Sequence, residues 1–82
     1  MSSVIYKFPL RHARNQVVAG KVLKVAWQRG EIMAWVQVCE GQPDQILQVI
    51  PTGVEFDPTD LEFIDTTVSD DLVFHIFREL VG

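Results

Sequence analysis

Short runs of β-branched and aromatic residues recur along the whole chain, and turn-forming residues separate them. In no segment do apolar residues recur at helical spacing through three full turns. Such runs predict β-strands, because branched and aromatic side chains fit a pleated surface and the intervening glycine, proline and aspartate favour turns. We therefore predict that the chain is mainly β.

Six strands are expected, a number that suits a small antiparallel barrel or a two-layer sandwich. The predicted strands are Val4–Phe8, Lys21–Trp27, Ile32–Cys39, Ile46–Ile50, Glu62–Thr67 and Leu72–Phe77. We expect the first and last strands to be neighbours. At most one short helical turn is predicted, over Asp57–Asp60, where an aspartate precedes a proline. The length of 82 residues indicates a single domain, residues 1–82.

The clearest local unit is a hairpin around Arg29-Gly30. A two-residue loop there sets three pairs of residues opposite each other. Those pairs are Trp27 with Ile32, Leu23 with Val36, and Lys24 with Trp35. Arginine is a poor residue at a turn position that needs a positive φ, so a longer loop with a different register is the alternative.

Positive and negative charges are separated along the sequence. Six lysines and arginines precede Gly30 with no acid among them, whereas all eleven acids follow it together with a single basic residue, Arg78. If early strands pair with late strands, opposite charges lie next to each other and neutralise one another. Otherwise the protein has separate positive and negative surface regions. The first arrangement stabilises a fold, and the second favours the binding of partners.

Composition narrows the functional classes. A formal net charge of −4 and a pI near 4.9 argue against sequence-independent binding of DNA or RNA, so direct nucleic-acid binding is not expected. A local basic and aromatic surface is the less favoured alternative. Its candidate residues are Arg11, His12, Arg14, Lys21 and Lys24 with Trp27 or Trp35. The single cysteine, and a sequence without a signal-peptide pattern or a long apolar run, lead us to expect a soluble cytoplasmic protein.

No residue pattern indicates catalysis or metal binding. Cys39, His12 and His75 carry no motif around them, and no third metal ligand is spaced with either histidine. We interpret Cys39 as a small buried apolar residue and His75 as a hydrogen-bonded strand residue. We therefore predict no enzymatic activity, no cofactor and no metal, unless these three residues meet in one cleft.

The acidic segment between residues 55 and 71 contains no basic residue. A solvated face is the commonest meaning of such a run. The more specific interpretation is a surface that occupies the basic groove of a nucleic-acid-handling protein, where carboxylates replace phosphates. An exposed tryptophan and methionine on the hairpin would add an apolar contact, unless another strand covers them. The predicted partner-binding residues are Glu55, Asp57, Asp60, Glu62, Asp65, Met33 and Trp35.

Four segments stand in an order and spacing that span nearly the whole chain. They are Ile5-Tyr6-Lys7-Phe8-Pro9-Leu10, Lys21-Val22-Leu23-Lys24-Val25 with Gln28 and Gly30 leading to Ala34-Trp35, Thr52-Gly53, and Leu72-Val73-Phe74-His75-Ile76-Phe77. Together they resemble a family of small uncharacterised proteins of tailed bacteriophages and prophages, known as a domain of unknown function. The chain departs from that family at Arg78, where members tend to carry an acid. The resemblance implies a phage origin and an accessory role, and it supplies no reaction or ligand.

We therefore expect a non-enzymatic phage accessory protein in the cytoplasm of the bacterial host. It would bind a host protein of anti-phage defence or nucleic-acid handling, and modulate or inhibit it through the acidic surface. The alternative is a structural or assembly protein of the phage that forms homo-oligomers through an apolar, salt-resistant interface.

Overall fold

The computed structural model describes residues 2–11 and 15–80, and these residues form seven β-strands and no helix. The strands are β1 (Ser3–Leu10), β2 (Asn15–Ala19), β3 (Lys21–Gln28), β4 (Glu31–Cys39), β5 (Asp44–Pro51), β6 (Leu61–Val68) and β7 (Val73–Glu79). The prediction of a mainly β fold is confirmed, and each predicted strand overlaps an observed one. Strand β2 was not predicted, because its apolar run of two valines and an alanine is too short to signal a strand.

The strands form two separate antiparallel sheets. Sheet I has the order β1-β4-β3, and sheet II has the order β2-β5-β7-β6. Of the two predicted architectures, the two-sheet arrangement is observed and a closed barrel is not. The core lies between the sheets, with buried side chains from both. These are Leu10, Val25, Ile32, Ala34 and Val36 of sheet I, and Leu47, Val49, Phe74 and Ile76 of sheet II.

The prediction that the first and last strands are neighbours is wrong. Strand β1 pairs with β4, and β7 lies between β5 and β6. The reason is that β7 is apolar on both faces and is best satisfied as a central strand, with Phe74 and Ile76 almost completely buried. A central β7 has no free edge for β1.

In this topology the basic strands do not pair with the acidic strand, so the two signs of charge stay on separate parts of the surface. Strands β1 and β3, which carry Lys7, Lys21 and Lys24, pair with β4 and not with the acidic β6. Within the described residues, the ion pair that forms joins Arg78 to Glu62, both of sheet II. The three lysines therefore lie on sheet I, and most of the acidic residues lie with sheet II.

The hairpin between β3 and β4 has the predicted two-residue loop. Arg29 and Gly30 both have positive φ, 51° and 82°, as a tight hairpin turn requires. The pairings of Trp27 with Ile32 and of Lys24 with Trp35 are confirmed. Beyond them a β-bulge interrupts β3, so that Val36 pairs with Val22 and the predicted pairing with Leu23 is wrong. A bulge adds one residue to one strand, which sequence alternation alone does not show.

The two sheets come together along the edges of β3 and β6, and Asp65 bridges them. Its Oδ2 accepts a hydrogen bond of 3.0 Å from the backbone N–H of Val25, and its Oδ1 accepts one of 2.8 Å from the N–H of Thr66. Strand β6 also has a bulge, between Phe63 and Asp65. The carboxylate thus satisfies an edge N–H of β3 that has no strand partner.

Candidate protein-binding surface

Three phenylalanines form a cluster on the outer face of sheet II. Side chains alternate along a strand, so with Phe74 and Ile76 in the core, Phe77 points away from it. Phe63 of β6 lies directly across from Phe77, and their rings meet edge to face with centroids 5.7 Å apart. Phe56, from the segment between β5 and β6, places its ring 5.1 Å from Phe77. We call Phe56, Phe63 and Phe77 the aromatic cluster.

The aromatic cluster is accessible to solvent. Phe63 is 55% exposed and Phe56 is 44% exposed, whereas Phe77 beneath them is half-buried. Exposed aromatic rings that are held against one another lose little conformational entropy on binding, and such side chains are enriched at the centres of protein interfaces. The cluster is therefore suited to be the apolar centre of a contact surface.

Carboxylates lie beside the aromatic cluster. Glu55 and Asp57 precede and follow Phe56 in the chain, and a shallow depression beside the cluster is lined by Asp57, Asp60 and Glu79. Within the described residues, no ion pair engages any of these four carboxylates. We call Glu55, Asp57, Asp60 and Glu79 the acidic rim.

Local hydrogen bonds hold the acidic rim in place. The backbone N–H of Leu80 donates to the carbonyl of Asp60 over 2.8 Å, which ties the loop before β6 to the end of β7. The side-chain amide of Gln48 donates to Glu79 over 3.0 Å, and Gln48 lies directly across from Phe77. The acidic rim and the aromatic cluster are thus parts of one surface.

Hydrogen bonds from Thr59 favour the charged form of Asp57. A hydrogen bond from the Thr59 side chain, together with one of 2.9 Å from the Thr59 backbone N–H, lowers the pKa of Asp57 below its ordinary value. These bonds belong to a turn that continues with the N–H of Leu61 donating to the carbonyl of Pro58 over 3.1 Å. The segment over which a helical turn was predicted is therefore a turn and not a helix.

The structure separates the seven predicted partner-binding residues. Glu55, Asp57 and Asp60 belong to the acidic rim. Glu62 contacts Arg78, with 2.6 Å between its Oε2 and the arginine Nη2, and Asp65 joins the two sheets as described above. These last two carboxylates are therefore engaged within the fold.

Met33 and Trp35 lie on the outer face of sheet I, away from the acidic rim. Met33 is buried, and Trp35 is half-buried between Lys7 of β1 and Lys24 of β3, its direct neighbours across the strands. A tryptophan flanked by two lysines suits a negatively charged ligand better than a basic one. Met33 and Trp35 therefore lie apart from Glu55, Asp57 and Asp60.

The sequence interpretation missed the aromatic cluster. Its signal was present in the period-two pattern of the last two strands, which places Phe63 and Phe77 on the same side as His75 once the strands are paired. The contribution of Phe56 had no such signal, because it comes from a segment outside any strand. Its position depends on the path of that loop.

His75 is held between two threonine hydroxyls on the outer face of sheet II. The Thr52 hydroxyl donates to the carbonyl of Val73 over 3.1 Å, so its oxygen accepts from Nε2–H of His75, 2.8 Å away. The Nδ1 atom of His75 forms a hydrogen bond of 3.0 Å with the Thr66 hydroxyl. This network agrees with the interpretation of His75 as a hydrogen-bonded strand residue.

Cys39, which was also considered for catalysis, lies in a different sheet from His75. Cys39 is half-buried at the end of β4 in sheet I, and its backbone N–H donates to Oε1 of Gln42 over 2.9 Å. His12 lies outside the described residues. Among the residues that the structure describes, no group of three or more potential ligands is placed to hold a metal ion. Across residues 2–11 and 15–80, no helix is long and apolar enough to span a membrane.

A wider cleft opens between the ends of the two sheets, and three of its polar side chains, Arg78, Glu62 and Gln45, are paired within the fold. The Arg78–Glu62 ion pair forms one wall, and the side-chain amide of Gln45 donates to the carbonyl of Gly20 at the other. The aromatic cluster with the acidic rim is therefore the better candidate for binding.

Comparison with known proteins gives one result. A family model described as Domain of unknown function (DUF7352) matches residues 1–81. No curated protein and no solved structure matches the chain. The family description states no activity, ligand or partner, so the surface is interpreted from its own geometry.

Proposed function

The chain belongs to the family of the domain of unknown function DUF7352, and we propose that it is a non-enzymatic protein that binds a basic protein partner. The single observation that carries the proposal is the aromatic cluster with the acidic rim beside it. An apolar centre with a polar, charged edge is the usual composition of a protein interface, and carboxylates at the edge favour a positively charged partner.

The partner we propose is a host protein that handles nucleic acid or acts in anti-phage defence, which this protein modulates or inhibits. Such proteins carry basic grooves for phosphates, and four carboxylates spaced around an apolar centre can occupy part of such a groove. The phage origin rests on the sequence resemblance given above. The cytoplasm of the bacterial host is the proposed place of action.

Capture from a bacterial lysate by the tagged protein, at low and at high salt, tests this function. We expect one basic protein to be recovered at low salt and lost at high salt, because exposed charges attract each other less as ionic strength rises. The bound protein is identified by mass spectrometry. Recovery of no specific protein at low salt would contradict the proposal.

A matched pair of charge-reversed variants separates the surface from the overall charge. The first variant is Glu55→Lys, Asp57→Lys and Asp60→Lys, and the second is Glu31→Lys, Glu40→Lys and Asp44→Lys. All six acids are exposed, and both variants change the net charge equally. We expect the first variant to lose the partner and the second to retain it. Equal loss in both would show that net charge alone governs the capture.

A structural role, in which copies of the chain assemble with one another, is the second candidate function. The observation that favours it is the exposure of apolar residues along β1, including Ile5 at 59% and Tyr6 at 51%. An interface of that kind is apolar and resists salt, in contrast to the salt-sensitive capture expected for the acidic rim.

A further inference from the structure

Strand β1 carries core-face residues that nothing in the described chain covers. Val4, Tyr6 and Phe8 lie directly across from residues of β4 that include Val36 and Ala34, so all of them share the face of sheet I that looks toward sheet II. Val36 and Ala34 are fully buried, whereas Val4, Tyr6 and Phe8 are 50%, 51% and 36% exposed. The apolar face of sheet I thus extends beyond the area that sheet II covers.

Among the residues that the structure describes, none pairs with the outer edge of β1. Proteins usually protect a free strand edge with charges, proline, bulges or a covering segment, because its unpaired N–H and C=O groups attract other strands. The edge of β3 has such protection, since Asp65 accepts the N–H of Val25. Strand β1 has a regular register along its whole length, with Lys7 and Pro9 as its protecting residues.

We propose that this edge binds a second copy of the chain, with β1 of one copy pairing antiparallel with β1 of the other about Tyr6. In this twofold arrangement Tyr6 faces Tyr6, Val4 faces Phe8 and Ile5 faces Lys7. The core-face pairs before Pro9, Tyr6 with Tyr6 and Val4 with Phe8, bring apolar or aromatic side chains together, and the two lysines do not oppose each other. Two three-stranded sheets would join into one sheet of six strands.

The sequence of β1 selects this register over its neighbours. Centring the pairing on Lys7 places two positive charges directly opposite each other, which is unfavourable. Centring it on Ile5 places Phe8 opposite Ser2 and leaves the ring without an apolar partner. Pro9 has no N–H to donate, so the continuous pairing is confined to the residues before it.

One strand from each copy makes a small interface, so the dimer should depend on protein concentration. Sedimentation equilibrium of the full chain from about 1 µM to about 1 mM covers the range in which weak complexes form. We expect the mass to rise from the monomer value of 9.3 kDa to twice that value, and to do so equally at low and high salt. A monomer at every concentration would overturn the proposal.

A pair of glutamate variants locates the interface. Tyr6→Glu places two like charges opposite each other at the twofold centre, and we expect it to weaken dimerisation by at least about tenfold. Val68→Glu is the control, because Val68 is 65% exposed on β6 and lies outside the proposed interface. Equal dimerisation by both variants would contradict the proposed interface.

Disulfide crosslinking tests the register in a background with Cys39, the single cysteine, changed to serine. Directly opposed residues of an antiparallel pair have Cα atoms about 4.5–5.5 Å apart, within the range that a disulfide spans. We expect Tyr6→Cys to form a covalent dimer alone. Val4→Cys and Phe8→Cys should crosslink when mixed but not separately. Efficient crosslinking of Val4→Cys with itself would overturn the register.

Dimerisation and partner binding are proposed for different surfaces, so each can be tested without the other. The β1 edge belongs to sheet I, and the acidic rim and aromatic cluster belong with sheet II. The Tyr6→Glu variant, which we expect to be monomeric, should still capture the basic partner. The variant with charge reversal at Glu55, Asp57 and Asp60 should still form the dimer.

Discussion

Phe63 lies directly across from Phe77 on adjacent strands, with their ring centroids 5.7 Å apart in an edge-to-face arrangement. This pair faces away from the core, and Phe63 is more than half exposed. The contact therefore holds an aromatic surface in a fixed position at the protein's exterior. With the acidic rim beside it, this surface carries the proposed function.

Asp65 is predicted to stabilise the fold and not to bind the partner. In Asp65→Asn, one carboxylate oxygen becomes an NH₂ group, so that the N–H of Val25 or of Thr66 loses its acceptor. We expect the free energy of unfolding to fall by about 1–3 kcal/mol in urea denaturation. Asp60→Asn is the control and should change stability by less than about 0.5 kcal/mol, because Asp60 is exposed. Equal effects would contradict the bridging role of Asp65.

Substitution of Arg29 in the tight turn is predicted to stabilise the protein. Arg29 has a φ of 51°, which is unfavourable for most residues and is tolerated by asparagine. We expect Arg29→Asn to raise the free energy of unfolding by about 0.5–1 kcal/mol, since Asn-Gly is a preferred two-residue hairpin loop. Arg29→Gln removes the same charge and should bring no such gain. A stabilisation of equal size by glutamine would point to charge as the cause.

Gly20 is predicted to be irreplaceable, in contrast to Gly41. Both have positive φ, 116° and 85°, but a Cβ on Gly20 would overlap the carbonyl oxygen of Gln37, whereas a Cβ on Gly41 meets open space. Gly41→Ala should lower the free energy of unfolding by about 1–2 kcal/mol through its φ alone. Gly20→Ala should cost at least about 1 kcal/mol more, because the chain must shift where β2 leads into β3. Thermal and urea unfolding of the two variants decide this.

The pKa of Asp57 is predicted to depend on Thr59. Thr59→Val removes the side-chain hydrogen bond and keeps the backbone N–H, so the pKa of Asp57 should rise toward its ordinary value. A lowered pKa in the folded state stabilises the fold above the unfolded-state pKa and ceases to do so as pH falls through the folded-state value. The stability difference between wild type and Thr59→Val should therefore shrink in acid. An unchanged carboxyl titration by NMR would exclude this hydrogen bond as the cause.

The sequence predicted the strands well because the period-two signal is local. The register of Lys24 with Trp35 also followed from the two-residue loop, which specifies the pairs nearest to it. The bulge near Leu23 did not follow, because it adds one residue to β3 that the alternation of side chains does not show. Local signals thus specify elements and turns more reliably than they specify the approach of two sheets.

The candidate site was predicted in part. Glu55, Asp57 and Asp60 lie together as the charge run indicated, since they share one exposed segment. Glu62 and Asp65 were indistinguishable from them by composition, yet on β6 Glu62 pairs with Arg78 and Asp65 accepts the N–H of Val25. The difference depends on contacts with residues that are distant in the sequence, which composition does not show.

The most direct test of the proposed function compares lysate capture by wild type, Phe63→Ala and Leu23→Ala at low salt. Leu23 is 45% exposed on β3 of sheet I and serves as the control for removing an exposed apolar side chain. Truncating a residue at the centre of an interface commonly weakens binding by tenfold or more. We predict that wild type and Leu23→Ala retain the same basic protein and that Phe63→Ala recovers about tenfold less of it. Equal recovery by all three proteins would contradict the assignment of the aromatic cluster as the binding surface.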